Sequence, residues 1–107
     1  MRNLDRAAAF TASTEGDTHW VEHLRVDALS LGTYSVRAGG VDDQTPHEQD
    51  EVYFVASGTG WFEAGGERVP VAPGTTLYVP AREVHRFVDV SSDLAVVVLF
   101  APPESEG

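Results

Sequence analysis

Residues 45–58 read TPHEQDEVYFVASG, a histidine and three carboxylates set directly against a run of strand formers. The Val, Tyr and Phe of this stretch suit a pleated, half-buried strand. At its mouth, Val or Tyr would pack better than His47 and Glu51. In an extended chain successive side chains point to opposite faces, so His47, Gln49 and Glu51 can share one side. Tyr53 and Val55 continue the parity of Glu51, which makes Tyr53 the best candidate for a pocket wall. A loop can carry such a cluster for solubility alone. A metal site needs a partner elsewhere in the chain.

The partner is found in PAREVHRF, where His85 is the one histidine downstream of His47. It follows a proline-containing loop and opens another strand-like run. Two imidazoles and a carboxylate without any cysteine suit a divalent first-row ion, and a two-histidine, one-carboxylate set with open positions suits iron(II) chemistry. Spacing alone leaves the solvated-loop reading open beside it. His19 and His23 in HWVEH lie four apart, but the metalloprotease pattern has Glu directly after the first His, so packing or surface roles are expected there.

Outward from this stretch the chain reads as strands almost throughout. HWVEHLRV and ALSLGTYSVRA mix apolar and polar residues in the strand manner. AGGVDDQTP is a loop by its Gly, Asp and Pro content. EVYFVAS and WFEA are expected as two strands with a turn at 58–60 between them. Gly65-Gly66 is a two-residue hairpin signal leading into ERVPVA, because a primed turn needs positive φ at both positions. TTLYVP, EVHRFVDV and DLAVVVLFA follow, the last apolar on both faces and so expected at the centre of a sheet. Residues 1–17 are expected as an arm or tail, 18–101 as the domain, and 102–107, with two prolines, as a second tail. No stretch has helical periodicity over ten residues. Short strands at regular spacing point to a sandwich or barrel.

Composition excludes several functions. The 107 residues suffice for one domain. Seven Lys+Arg against 17 Asp+Glu give a net charge of −10, which argues against nucleic acid and anionic membranes as partners. The absence of Cys removes disulfides and thiolate ligands. MRNLDRAAAF is too weakly apolar for a signal sequence, and no run approaches the roughly 20 apolar residues of a spanning helix. A soluble, cytoplasmic protein is expected.

Residues 39–60 and 74–89 resemble the two motifs of the cupin superfamily, G-x5-H-x-H-x3-E-x6-G and G-x5-P-x-G-x2-H-x3-N. Gly39, His47, Glu51 and Gly58 fall in place in the first, and Gly74, Pro80 and His85 in the second. Thr45 stands where the first histidine belongs, Arg82 replaces the second glycine, and Asp89 replaces the Asn. The match spans about the central half of the chain. The resemblance implies an all-β, single-domain jelly-roll β-barrel holding Fe, Mn, Ni or Zn through His47, Glu51 and His85. Three outcomes are open for the missing ligand: three protein ligands only, an amide oxygen from Gln49 or Gln44, or a barrel that binds without metal. Tyr53, Trp61 and Tyr78 are the expected pocket aromatics. Arg82 and Arg86 flank His85, and Asp42, Asp43, Glu48 and Asp50 are expected to surround the opening. Two function classes follow: an enzyme acting on a small organic molecule as oxygenase, isomerase, cyclase or lyase, or a non-catalytic module binding a small metabolite. The resemblance further implies a homodimer in which residues 1–17 lie on a partner.

Overall fold

The computed structural model describes residues 1–105, and every helix or strand among them is a β-strand. In chain order these are β1 (Thr18–Arg25), β2 (Ser30–Val36), β3 (Asp50–Ala64), β4 (Glu67–Val71), β5 (Thr76–Val79) and β6 (His85–Ala101). All pairings are antiparallel, in the order β1-β2-β6-β3-β4, with β5 joined to β3. The apolar run 94–100 therefore lies in a strand with a neighbour on each side.

The two long strands organise the fold. The first half of β3 pairs with β5 and with the second half of β6; the second half of β3 pairs with β4 and with the first half of β6. The turn expected at 58–60 is absent. β3 runs through it as one 15-residue strand, and β6 likewise joins the two runs expected to be separate. Glycine here serves a bend. Register shifts at 55–61 mark bulges. Gly58 has φ +91°, and a Cβ on it would run into the Asp93 carbonyl. The bulges also reset parity: Glu51, Tyr53 and Val55 face inward, and beyond the bend so do Gly60 and Phe62.

The hairpin at Gly65-Gly66 forms as expected, both glycines at positive φ between the paired Ala64 and Glu67. Inward residues of all the long strands meet in one core, with Val36, Tyr53, Val55, Phe62, Phe87, Leu94, Val96 and Phe100 at its centre. The expected closed barrel is realised only in part. The sheet wraps this core, but no ladder joins β1 to β4, because the wrapping comes from bends in β3 and β6 rather than from closure of the edges.

The segments outside the sheet lie against it. On the outer face, the Thr33 hydroxyl donates to the Ala7 carbonyl, and the Thr11 amide donates to Ser35 Oγ at 3.0 Å. At the other end, the Glu104 amide donates to Ser30 Oγ at 2.8 Å, Arg25 donates to the Glu104 carbonyl at 2.8 Å, and Gln49 donates to Ser105 Oγ at 3.0 Å.

Candidate metal centre

Each member of the sequence-derived trio has a different structural origin. His47 lies in the loop before β3, and its carbonyl accepts the Arg82 amide at 2.7 Å, which ties that loop to the turn leading into β6. Glu51 is the second residue of β3 and faces inward opposite Val79 and Phe100. His85 is the first residue of β6. The bend in the sheet brings these together: His85 Nε2 lies 3.1 Å from Glu51 Oε2, and His47 Nε2 lies 3.4 Å from Glu51 Oε1. One donor atom from each falls within 4.8 Å of the others.

The electrostatics of the trio are unusual for a histidine–carboxylate cluster. The Glu51 and His85 side chains are each only 1% exposed. Burial pushes the Glu51 carboxyl up to about 8, helped by the charges of Glu104 and Asp42 and opposed by the Tyr53 hydrogen bond. Burial, then the nearby His85, holds His47 below the ordinary histidine value. Burial thus works against an ion pair at these contacts when no cation is bound. Glu51 Oε1 is buried and accepts no hydrogen bond. A buried acceptor left bare costs about 1–3 kcal/mol, and a cation between the three groups would relieve it. The residues fit a metal.

Around the trio lies a shell that the sequence did not disclose. Asp42, expected at the rim, is 3% exposed and sits at a hub. It accepts from the Tyr34 hydroxyl at 2.6 Å, the Phe87 amide at 2.8 Å and the Gln44 side-chain amide at 2.7 Å. Asp42 also lines a cleft on that side but is itself held inside, where a carboxylate with this many donors is stable. Glu104 reaches in from beyond β6, with Oε2 at 3.3 Å from His47 Nδ1. Nothing in PPESEG marks that contact, because it depends on where the chain returns after Ala101.

A cavity of about 220 Å³ opens onto His47, lined by Trp20, Tyr34, Gln44, Tyr53, Val98, Phe100 and Glu104. A larger cleft of about 610 Å³ approaches from the side of His85 and Gln44, bordered by Glu63, Arg68, Glu83 and Arg86. The smaller one holds the inward aromatics. Tyr53 lines it, 1% exposed, and donates to Glu51 Oε2 at 3.2 Å. Trp61 and Tyr78 do not line it. Trp61 falls on the outer face, where Arg68 lies over its ring at 4.8 Å, because the bulges reverse parity between Tyr53 and Phe62. Tyr78 pairs with outward-facing Val52 and is 64% exposed. His23 instead meets Thr33 Oγ1 at 2.8 Å, and Arg82 pairs with Glu48 at 2.9 Å.

Comparison with known proteins agrees with this architecture. The family profile described as Cupin domain matches residues 32–102. An uncharacterised protein of Streptomyces coelicolor is 45% identical over 102 residues, covering 95% of each chain. Among solved structures, KdgF from Halomonas sp. superposes with a TM-score of 0.75 at 24% identity, covering 85% of this chain and 84% of that one. Ectoine synthase from P. lautus gives 0.74 at 21% identity, covering 96% and 78%. At these identities the likeness shows the fold alone. Matched over most of its length by the family profile, the chain belongs to the cupin domain family.

Proposed function

We propose that the chain is a metal-dependent cupin acting on a small organic molecule, with His47, Glu51 and His85 as ligands to iron, manganese, nickel or zinc. The observation that carries this reading is the meeting of three donor atoms within 4.8 Å around a buried, unbonded carboxylate oxygen. When bound, such an ion supplies Lewis-acid polarisation of a substrate oxygen or nitrogen. The protein's own part is to orient and to exclude water. Tyr53 holds Glu51 in place, and Trp20 and Phe100 pack edge to face at 5.7 Å along the cavity. At about 220 Å³ the cavity is smaller than the ~300–1,000 Å³ typical of drug-sized ligands, which points to a small metabolite. Oxygenase, isomerase, cyclase and lyase chemistry are the reaction classes this arrangement serves.

A non-catalytic metabolite-binding cupin with weak or no metal is the second reading. It draws on Thr45, which is exposed and supplies no imidazole where the motif has one. The chain is further proposed to work in the cytoplasm as a homodimer, without nucleic acid or membrane as partner. Its net charge of −10 repels both polyanions. No helix of the described residues is long and apolar enough to cross a membrane.

Elemental analysis of protein purified without chelator or a metal-binding tag tests the first reading. A stoichiometric transition ion is expected, lost in His85→Ala and kept in His19→Ala. Equal retention in both variants would overturn the ligand assignment, and a metal-free protein carrying a metabolite would favour the second reading.

A further inference from the structure

Thr45 occupies the position of the motif's first histidine, yet it is exposed, and a Thr hydroxyl is a poor ligand for a first-row transition ion. We infer that the neighbouring Gln44 replaces it, its side-chain oxygen Oε1 serving as the fourth protein ligand of the centre proposed above, on which this inference rests.

The orientation of the Gln44 amide decides the matter. Oxygen and nitrogen of a side-chain amide are told apart by their partners. Gln44 Nε2 lies 2.7 Å from Asp42 Oδ2, and the Gln44 backbone amide lies 3.2 Å from Asp42 Oδ1. A carboxylate accepts, so the amide NH2 must point to Asp42. Asp42 is itself fixed by the Tyr34 hydroxyl and the Phe87 amide. Gln44 Oε1 is left facing the trio, 3.2 Å from His85 Nε2 and 3.2 Å from the Tyr53 hydroxyl.

The far side of the contact is as informative. His85 Nδ1 lies 2.7 Å from the Glu83 carbonyl, which only accepts, so Nδ1 carries the hydrogen of the neutral ring. His85 Nε2 is then a bare lone pair, and it faces Gln44 Oε1 and Glu51 Oε2 together. Three acceptor atoms thus converge, with the Tyr53 hydroxyl as the one protein donor between them. One proton on the carboxyl can bridge the cluster when no ion is bound; a cation satisfies all three at once. Gln49 donates to Ser105 Oγ; its Oε1 is buried and accepts no hydrogen bond, so, unlike Gln44 Oε1, it makes no contact with His85 or Tyr53 through one. Two imidazoles, one carboxylate and one amide oxygen make a harder donor set than three imidazoles and a carboxylate. It tilts the site toward manganese and iron and away from copper and zinc relative to the full motif.

Chelator-competition titration of the full chain with Mn²⁺ and Zn²⁺, for wild type, Gln44→Ala, Gln44→Leu and His85→Ala, tests the assignment. Both Gln44 variants should weaken Mn²⁺ at least tenfold, and Zn²⁺ less than Mn²⁺, with unchanged circular dichroism. A second measurement needs no variant. On Zn²⁺ addition to ¹⁵N-labelled wild type, the Gln44 side-chain NH2 resonances should shift strongly while those of Gln49 stay put. If both Gln44 variants bind as wild type does while His85→Ala loses metal, the Gln44 assignment is overturned and the three-ligand centre stands. If His85→Ala also binds as wild type does, the centre itself is refuted, and this inference with it.

Discussion

At Arg82 and Asp89 the chain takes φ of +69° and +47°, a conformation that side chains with a Cβ adopt at a cost. These are the two places where the second motif has Gly and Asn, the residues that tolerate left-handed backbone best. The departures from the motif therefore keep its backbone shape under strain. Arg82→Gly should relieve it. The strain is about 1–2 kcal/mol, part of which returns as the added entropy of glycine in the unfolded chain. The exposed Arg82–Glu48 pair contributes little. A net gain of about 0.5–1 kcal/mol in urea denaturation is expected.

Glu51 gives a second prediction of the same scale. Its folded carboxyl titrates near 8, above the unfolded value of 4.5, so between these the folded state holds the proton more tightly. Stability of the metal-free protein must then fall as pH rises through that window. His47, held below 6.5, works in the opposite sense below that value, so the clean window is 6.5 to 8. The unfolding free energy from urea denaturation should decline across it, by about 2 kcal/mol at most, and Glu51→Gln should flatten the profile. A profile that rises in that window, or one unchanged by Glu51→Gln, would show that Glu51 is ionised without metal. Residue identity and spacing made His47, Glu51 and His85 legible in the sequence, because few residue types can hold a metal. Asp42, Gln44 and Glu104 were not singled out as one shell, since a carboxylate or amide looks the same in sequence whether it is solvated or buried.

Among the elements, strand character was legible from Val, Tyr and Phe content, and the Gly65-Gly66 hairpin from its turn chemistry. The continuity of β3 and β6 was not. Gly58 and Gly60 punctuate a sequence in the same way at a turn and at a bulge, and only the pairing partner across the ladder tells the two apart. The face that Trp61 takes depends on the same bulge, which reverses parity between Tyr53 and Phe62. Gly58→Ala should be costly, because it combines a Cβ at φ +91° with a collision against the Asp93 carbonyl. A loss of about 2–4 kcal/mol is expected in urea denaturation. A change under 0.5 kcal/mol would mean that the bend relaxes freely.

Over the whole molecule, the outer side of the sheet is uneven. Residues 1–17 cover Thr33 and Ser35, whereas Val52, Phe54 and Tyr78 remain 39%, 45% and 64% exposed beside one another on β3 and β5. Contiguous apolar exposure of this kind marks interaction sites. If the proposed homodimer forms through this face, sedimentation equilibrium at micromolar concentration should show two chains per particle. Phe54→Lys with Tyr78→Lys should return it to one. A wild type that stays single-chain would remove the dimer.

Glu51 and His85 sit at opposite ends of the β3–β6 ladder: Glu51 pairs with Phe100 near one end, and His85 with Ala64 at the other. An ion held by both would therefore clasp the two ends of a bent ribbon, adding a long-range tie that no strand pair provides. Binding of the folded state alone deepens its free-energy well by RT ln(1 + [L]/Kd), about 2.7 kcal/mol at a hundredfold excess over Kd. The tie should be felt along the ribbon as well as at the site. Amide hydrogen exchange near the bend, around Gly58 and Asp93, should slow on metal loading as the partly opened forms become rarer. Loading that slows exchange only beside His47 and His85 would mean that the ribbon stays closed without its clasp.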